Sequence, residues 1–432
     1  MARIVLATIG SLGDLHPFIS IGQALVMQGH HVVLAVPEDG VTKVRAAGLD
    51  AAPILPGYAA ICERLGVSSE EAAARVLADT NFVIDQILLP SLQSSTAALD
   101  ALAADADVIA GSMFAFAAEI VAEKRGLPLA TVVLQPMTLF SAWNPPKAPR
   151  FEIMRHRPRT AIGRGWNRAF YTLARVALRR RHARQIDAVR TEHGLRASWG
   201  APMLDHGPAT AAVVCCWSRA LGALPPDAPD NAMLAGFPFF DSESGAEDEL
   251  AAELESFLKE GAPPLVFTLG SFAVVSAGRF YEEAVTLSHA LGRRAVMLTG
   301  KPGPPLRDGD CLLMNYAPHS AVFPRAAAVI HHGGIGTTGQ ALRAGRPQIV
   351  VPHFGDQFDN AARLEASGIG LTILRERFQA DHAMNTTSRV LASSTMAEAA
   401  RRAAEIIAEE DGATEAASHI ASLSSTLPSG IR

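Results

Sequence analysis

The strongest constraint on the fold is a pattern that opens the chain and recurs along it. Ile4 to Ile9 is an almost unbroken apolar run, and Gly10 turns the chain out of it. Such a run marks a strand covered on both faces, whereas a strand with one wet face would alternate. Gly10-Ser11-Leu12-Gly13-Asp14 reads as a turn. Pro17 suits the first helical position, where its missing N–H costs nothing. The helix is expected to reach about Gln28 and stop at Gly29, with His31 to Val36 as the next strand. Short buried strands alternating with helices imply a parallel sheet.

The pattern continues through Val108–Ile109 and Leu129–Leu134, with a helix from Phe114 to Arg125 stopped by Gly126. Residues 57–100 and 137–205 are less regular and read as insertions. Around 222–246 the composition shifts to Pro225-Pro226, Pro229 and Pro238, then a polar run from Ser242. A second set of candidate strands follows at Leu265–Leu269, Ala295–Leu298, Cys311–Asn315, Ala328–His331 and Gln348–Val351. With 432 residues the chain exceeds one typical core. The expected organisation is α/β: a Rossmann-like domain over 1–221, a linker over 222–246 and a second Rossmann-like domain over 247–405. A C-terminal helix and tail, 406–432, could pack back on the first domain. Two such halves imply a cleft, and open parallel sheets bind ligands beyond the carboxyl ends of their strands.

Composition removes several classes of function. The net charge is −5, which argues against a nucleic-acid partner. The four cysteines, Cys62, Cys215, Cys216 and Cys311, form no CxxC pair. That is neither a disulfide framework nor a zinc site, and it suits a reducing cytoplasm. The first apolar run is too short for a signal peptide, and none approaches the roughly 18 residues of a membrane span. A cytoplasmic location, at most against the inner face of a membrane, is expected.

The richest chemistry lies at His331-His332-Gly333-Gly334-Ile335-Gly336-Thr337-Thr338-Gly339, after a strand and opening a helix. Glycines let backbone N–H groups approach an anion, and a helix N-terminus adds partial positive charge. The run can hold a pyrophosphate; a plain tight turn is the competing reading. Gly334-x-Gly336-x-x-Gly339 also matches the dinucleotide fingerprint. The next strand, however, ends Val350-Val351-Pro352-His353, without the acid that would hold a ribose. Asp356 and Gln357 can bond vicinal hydroxyls of a sugar or merely cap the helix that follows. Tyr316, in Tyr316-Ala317-Pro318-His319, can stack on a base or belong to a core. Ser271, after Thr268-Leu269-Gly270, can reach phosphate.

Taken in this order, these pieces resemble the donor half of the nucleotide-sugar-dependent glycosyltransferases of family 1, which have the GT-B fold. That fold has two Rossmann-like parallel-sheet domains facing across a cleft. The resemblance implies that His331, with His332, Gly333, Gly334, Gly336 and Thr337 around it, contacts the diphosphate. It also implies that Asp356 and Gln357 hold sugar hydroxyls, that Tyr316 beside Pro318 stacks on the base and that Ser271 touches phosphate. In the first half, many family members have a histidine base where Asp14 stands. The sterol, glycopeptide and rhamnolipid-type members show Gly-Asp-x-x-Pro, as here. Asp14, in the turn bounded by Gly10 and Gly13, is therefore the expected general base, with His16 as second candidate; helix capping is the alternative for Asp14.

The implied reaction inverts the anomeric centre and needs no cofactor and no metal. It takes a hexose or deoxyhexose from a UDP- or dTDP-sugar to a hydroxyl of a small apolar acceptor, either a hydroxy-fatty-acid lipid or a polyketide-like natural product. Gly10-Ser-x-Gly-Asp-x-x-Pro-Phe18, Gly236-Phe-Pro-x-Phe-Asp241 and Tyr316-Ala-Pro318 are similar to bacterial rhamnosyltransferases. A nucleotide-sugar epimerase and a non-catalytic partner subunit are the rival functions, and monomer and homodimer are both open. Between Arg150 and Arg196 there are 13 Arg against three acids, Glu152, Asp187 and Glu192. That stretch reads as a solvated helix face or as a surface attracted to an anionic membrane.

Overall fold

The computed structural model describes residues 1–79, 81–198, 201, 203–242, 244–245, 250–271 and 273–425. These residues form two compact units. One takes Met1–Trp217, Ala223–Phe240 and the chain from Asp411; the other takes Ser218–Gly222 and Asp241–Glu410.

The first unit is built on a seven-stranded sheet of β1 (Arg3–Ala7), β2 (His31–Pro37), β3 (Asp50–Leu55), β4 (Val108–Ser112), β5 (Leu129–Val133), β6 (Thr210–Cys215) and β7 (Ala232–Leu234). Its order is β3-β2-β1-β4-β5-β6-β7, and every pairing is parallel. The strand order reverses between β1 and β4, so the loop after β1 lies at the switch point where ligands of such sheets bind. Both faces are covered. Ile4, Leu6, Val108, Ala110 and Val132 lie in one apolar layer with Phe18 and Leu25. Val5, Ala7, Ile109 and Leu129 lie in another with Ile120 and Val121. Each large side chain buried this way contributes roughly 1.5–3 kcal/mol.

The helix after β1, α1 (Leu12–Met27), starts five residues before the position expected for Pro17. Ser11 caps it, and Pro17 lies inside it. The next helices that matter for the site are α2 (Phe116–Arg125) and the long α3 (Ala161–Glu192). Part of the stretch expected to be linker is instead the edge strand β7 of this sheet.

The second unit has β8 (Leu265–Thr268), β9 (Ala295–Leu298), β10 (Leu306–Asp308), β11 (Cys311–Met314), β12 (Ala328–His331), β13 (Gln348–Val350) and β14 (Gly370–Thr372). Their order is β10-β11-β9-β8-β12-β13-β14. All pairings are parallel except the β10–β11 hairpin. The strand order reverses between β8 and β12, and the loops after these two strands carry the glycine-rich segments. The helix α4 (Ile335–Arg343) follows β12, and α5 (Gln357–Ala366) follows β13.

The chain then returns to the first unit as α6 (Gly412–Ser422). Ala416, Ala417 and Ile420 are buried in the layer that holds Phe18 and Leu25. Gln28 donates from its side-chain amide to Ser418 Oγ at 2.9 Å. Gly412 allows the close approach, because a Cβ there would stand 2.5 Å from the carbonyl carbon of Gly236.

Candidate active site

In the first unit the site grows from the first turn of α1. Ser11 Oγ accepts the Gly13 N–H at 3.3 Å, and the Ser11 N–H donates to Asp14 Oδ2 at 3.1 Å. The Asp14 carboxylate therefore folds back over the turn. Gly10 makes room for it: its φ is +136°, and a Cβ at this position would lie 2.2 Å from Asp14 Oδ2. Asp14 is half-buried. Burial pushes its carboxyl up to about 7, and the Ser11 N–H only partly offsets this. The carboxylate thus caps the helix and has a pKa near neutrality, a shift that capping alone does not require.

His16 follows two residues later in α1. Its Nε2 is 3.4 Å from Lys43 Nζ, and its ring meets the edge of Phe240 at 5.2 Å. At the neighbouring strand ends, Thr8 Oγ1 and Ser112 Oγ are buried with no hydrogen-bond partner among the described residues. The Ala7–Gly111 pairing sets these two residues side by side. A cavity of about 50 Å³ also lies in this unit, lined among others by Phe116, Glu119, Leu139, Met203 and His206. Burial pushes the Glu119 carboxyl up to about 7 there, although Arg190 pulls it down.

In the second unit the two histidines divide the work. His331 is fully buried. The Gly333 N–H donates to its Nδ1 at 3.1 Å, which leaves Nε2 as the protonated nitrogen donating to Gln348 Oε1 at 2.8 Å. Both ring nitrogens are thus committed to the protein. His331, expected at the diphosphate, is fully buried in this structure and bonded within the turn and to β13. Burial holds its pKa down at about 4, so the ring is neutral.

His332 is placed differently. Its ring is slotted between two loops: a Cβ on Gly270 would be 2.6 Å from its Cε1, and one on Gly334 would be 2.4 Å from its Nε2. Its Nδ1 is buried without a partner among the described residues. Burial, reinforced by His331, His353 and His319, holds its pKa well below the usual value. A neutral imidazole can donate one N–H without adding charge.

Gly333 has φ +90° and packs so closely that a Cβ would be 2.6 Å from Val350 Cγ1. Gly334 is the N-cap of α4 and makes no side-chain cap bond. The first N–H groups of α4 are therefore not capped by that residue, and this is what an anion requires. Gly336, in the first turn, is exposed, and a Cβ there would meet no atom within 4 Å. Thr337 beside it is buried. Gly270 has φ +64°, its N–H donates to Thr268 Oγ1 at 3.1 Å, and Ser271 after it is exposed.

Asn360 ties this turn to the next loop. Its Nδ2 donates to the Gly333 carbonyl and to Asp356 Oδ2, both at 2.9 Å. Gln357 is buried, and its Oε1 accepts the N–H groups of His353 and Phe354 at 2.8 and 3.2 Å. Only its amide NH₂ end is left for another partner. The Tyr316 hydroxyl donates to Asp241 Oδ1 at 3.0 Å, and the Ser320 N–H donates to Asp241 Oδ2 at 2.6 Å. Tyr316 is held as a half-buried platform just before buried Pro318.

The structure therefore gathers His332, Gly333, Gly334, Gly336, Thr337, Asp356 and Gln357 around one set of strand ends, with Gly270 and Ser271 beside them. Asn360, Asp241 and Glu119 were not singled out from sequence as site residues, whereas the Gly270 N–H, beside Ser271, was expected near phosphate. Asp241 closes the Gly236–Asp241 motif, but its bonds to Tyr316 and Ser320, like the placing of Glu119 near Arg190, arise only through long-range packing.

Two family models match the chain: a glycosyltransferase family 28 N-terminal domain over residues 4–142, and an erythromycin biosynthesis protein CIII-like C-terminal domain over residues 307–423. The chain is 30% identical to glycosyltransferase GtfE of Amycolatopsis orientalis, over 85% of each chain. It is 29% identical to an O-mycaminosyltylonolide 6-deoxyallosyltransferase of Streptomyces fradiae, over 96% of each. A sterol 3-beta-glucosyltransferase of Aspergillus terreus is 27% identical over 96% of this chain, which spans 29% of that longer protein. Among solved structures, the kitacinnamycin glycotransferase superposes with TM-score 0.71 at 20% identity, over 98% of this chain and 99% of that one. The VinC glycosyltransferase in complex with DTDP superposes with TM-score 0.67 at 18% identity, again over 98% and 99%.

Proposed function

Because the chain belongs to the GT-B glycosyltransferases of family 1, we propose that it is an inverting, metal-independent enzyme with Asp14 as its general base. Its donor is a UDP- or dTDP-linked hexose or deoxyhexose, and its acceptor is a small apolar molecule bearing a hydroxyl. The observation that carries the base assignment is the Asp14 carboxyl, folded back over Gly10 and raised to about 7 by burial. A carboxylate with that pKa accepts a proton at neutral pH far better than an ordinary aspartate near 4.

In this reading Asp14 takes the acceptor's hydroxyl proton as that oxygen bonds to the anomeric carbon. The bond from that carbon to the diphosphate oxygen breaks on the opposite face, so the configuration inverts. The departing diphosphate is stabilised by the N–H groups at the start of α4 and by the neutral His332, a fixed arrangement that needs no reorganisation. Asp356 and the free amide end of Gln357 hold sugar hydroxyls, and Tyr316 supports the base. The cavity beside Glu119 receives part of the acceptor. The relatives support an apolar acceptor, since the names of two of them specify O-mycaminosyltylonolide and a sterol. A thymidine donor draws support from the similarity to VinC, whose structure is in complex with DTDP.

A transfer assay over a panel of nucleotide sugars and hydroxylated apolar acceptors, with and without EDTA, tests the reading. Product of inverted configuration, formed equally with EDTA and lost in Asp14→Asn, is the expected result. Donor turnover without acceptor would point to an epimerase. Binding of donor with no turnover under any acceptor would point to a partner subunit.

A further inference from the structure

The outer face of α3 carries an apolar stripe that the transfer reading leaves unused. Ile162, Trp166, Leu173 and Val176 are all exposed, Ile162 by 86% and Leu173 by 70%. At about 100° per residue these four positions fall within an arc of roughly 80° and extend about 21 Å along the helix. Two more exposed apolar residues adjoin them: Trp166 Nε1 donates to the Ile153 carbonyl at 3.0 Å, and the Arg164 guanidinium lies 4.1 Å over the Trp143 ring. An apolar surface of this extent marks a partner surface rather than scattered exposure.

The charges around the stripe identify the partner's chemistry. Arg155, Arg157 and Arg159 precede the helix, and Arg180 and Arg184 continue the same face beyond Val176. All five are exposed, and none forms an ion pair among the described residues. Other arginines of the segment are neutralised, as in Arg150 with Asp79, Arg181 with Asp85 and Arg190 with Glu123. An apolar stripe with tryptophan on it, flanked at both ends by unpaired arginines, suits a helix lying in the interface of a bilayer. Among the described residues no helix is long and apolar enough to cross a membrane.

We propose that this face of α3 docks peripherally on a bilayer bearing anionic lipid, with Ile162, Trp166, Leu173 and Val176 inserted at the headgroup level. Docking does not depend on what the donor turn binds. It would give the enzyme access to an acceptor that partitions into lipid.

The full chain is mixed with phosphatidylcholine vesicles with or without 30% phosphatidylglycerol, at about 0.1 M salt, and sedimented. Binding is expected only to the anionic vesicles, with a blue shift of tryptophan emission, and it should weaken as salt rises. Ile162→Ser combined with Leu173→Ser should abolish sedimentation. Arg180→Glu with Arg184→Glu should weaken binding at least about 25-fold, at about fivefold for each of the two arginine charges removed. Leu306→Ser, on the exposed β10 of the other unit, is the control and should change nothing. Thermal midpoints confirm that each variant is folded. No binding by the full chain, or binding indifferent to phosphatidylglycerol, overturns the proposal. So does a double-serine variant that still binds vesicles, or one that instead splits a dimer of the chain in solution.

Discussion

Asp14→Asn separates the roles of one carboxyl, because its effects on rate and on stability have opposite signs. Asparagine keeps an oxygen for the Ser11 N–H, so the start of α1 survives. The variant loses the base, and the transfer rate should fall by about 10²–10⁴. Stability should rise. The folded carboxyl titrates at about 7, against a usual value of 3.8. The folded protein therefore holds a proton that the unfolded chain releases, and wild-type stability is lost as pH climbs from about 4 to about 7. A shift of roughly three units corresponds to at most about 4 kcal/mol, and the partial exposure of Asp14 brings that to about 1–3 kcal/mol. Urea unfolding of both proteins across pH 4 to 9 measures the difference. The asparagine variant should gain progressively up to about pH 7 and then hold a constant advantage. The wild-type kcat/KM should rise through the same pH and level off above it. An advantage that is absent, or that shrinks as pH rises, would refute the assignment of a buried, proton-holding carboxyl to this turn.

The donor turn gives three further expectations. His331→Ala leaves the Gly333 N–H and Gln348 Oε1 without their partner and should cost about 2–4 kcal/mol in urea unfolding. Because the folded ring titrates at about 4 and an unfolded one at about 6.5, wild-type stability should fall as pH drops from about 6.5 towards 4, and the alanine variant should lose that part of the pH dependence. Gly336→Asp places a carboxylate in the open space of the first turn of α4, where it favours the helix by about 0.3–1 kcal/mol but repels an anion. Its midpoint should hold or rise while the thermal shift with UDP or dTDP disappears. Asp356→Asn should weaken calorimetric binding of the nucleotide sugar while leaving that of the bare nucleoside diphosphate unchanged.

The strands legible in the sequence were those buried on both faces, such as β1, β9 and β12, because their apolar runs are nearly unbroken. β3 was not legible. Its Asp50-Ala-Ala-Pro-Ile-Leu55 contains a proline, which an edge strand tolerates and a central one does not. β7 is three residues long and sits among prolines that read as a linker. Pro17 misplaced the start of α1, although Ser11 and Asp14 already had the spacing of a reciprocal cap. The histidine pair was ambiguous for a different reason. Composition cannot tell which of two consecutive histidines at a strand end bonds within the fold, and only the partners of His331 on Gly333 and Gln348 decide it.

The two candidate centres are nonetheless built by one device that sequence does display. In each, glycine leaves a gap that a polar side chain fills: Gly10 for Asp14 within one turn, and Gly334 with Gly270 of the loop after β8 for His332. A methyl group at any of these positions would collide with the functional group itself and not with the apolar layers of the sheet. The glycines therefore constrain chemistry more than folding. An alanine at Gly334, whose φ is −60° and needs no left-handed backbone, isolates the steric effect from strain. It should displace His332 and weaken diphosphate binding while the unfolding free energy stays within about 1 kcal/mol of wild type. Loss of stability with intact binding would mean that the gap serves packing, and the parallel between the two turns would fail.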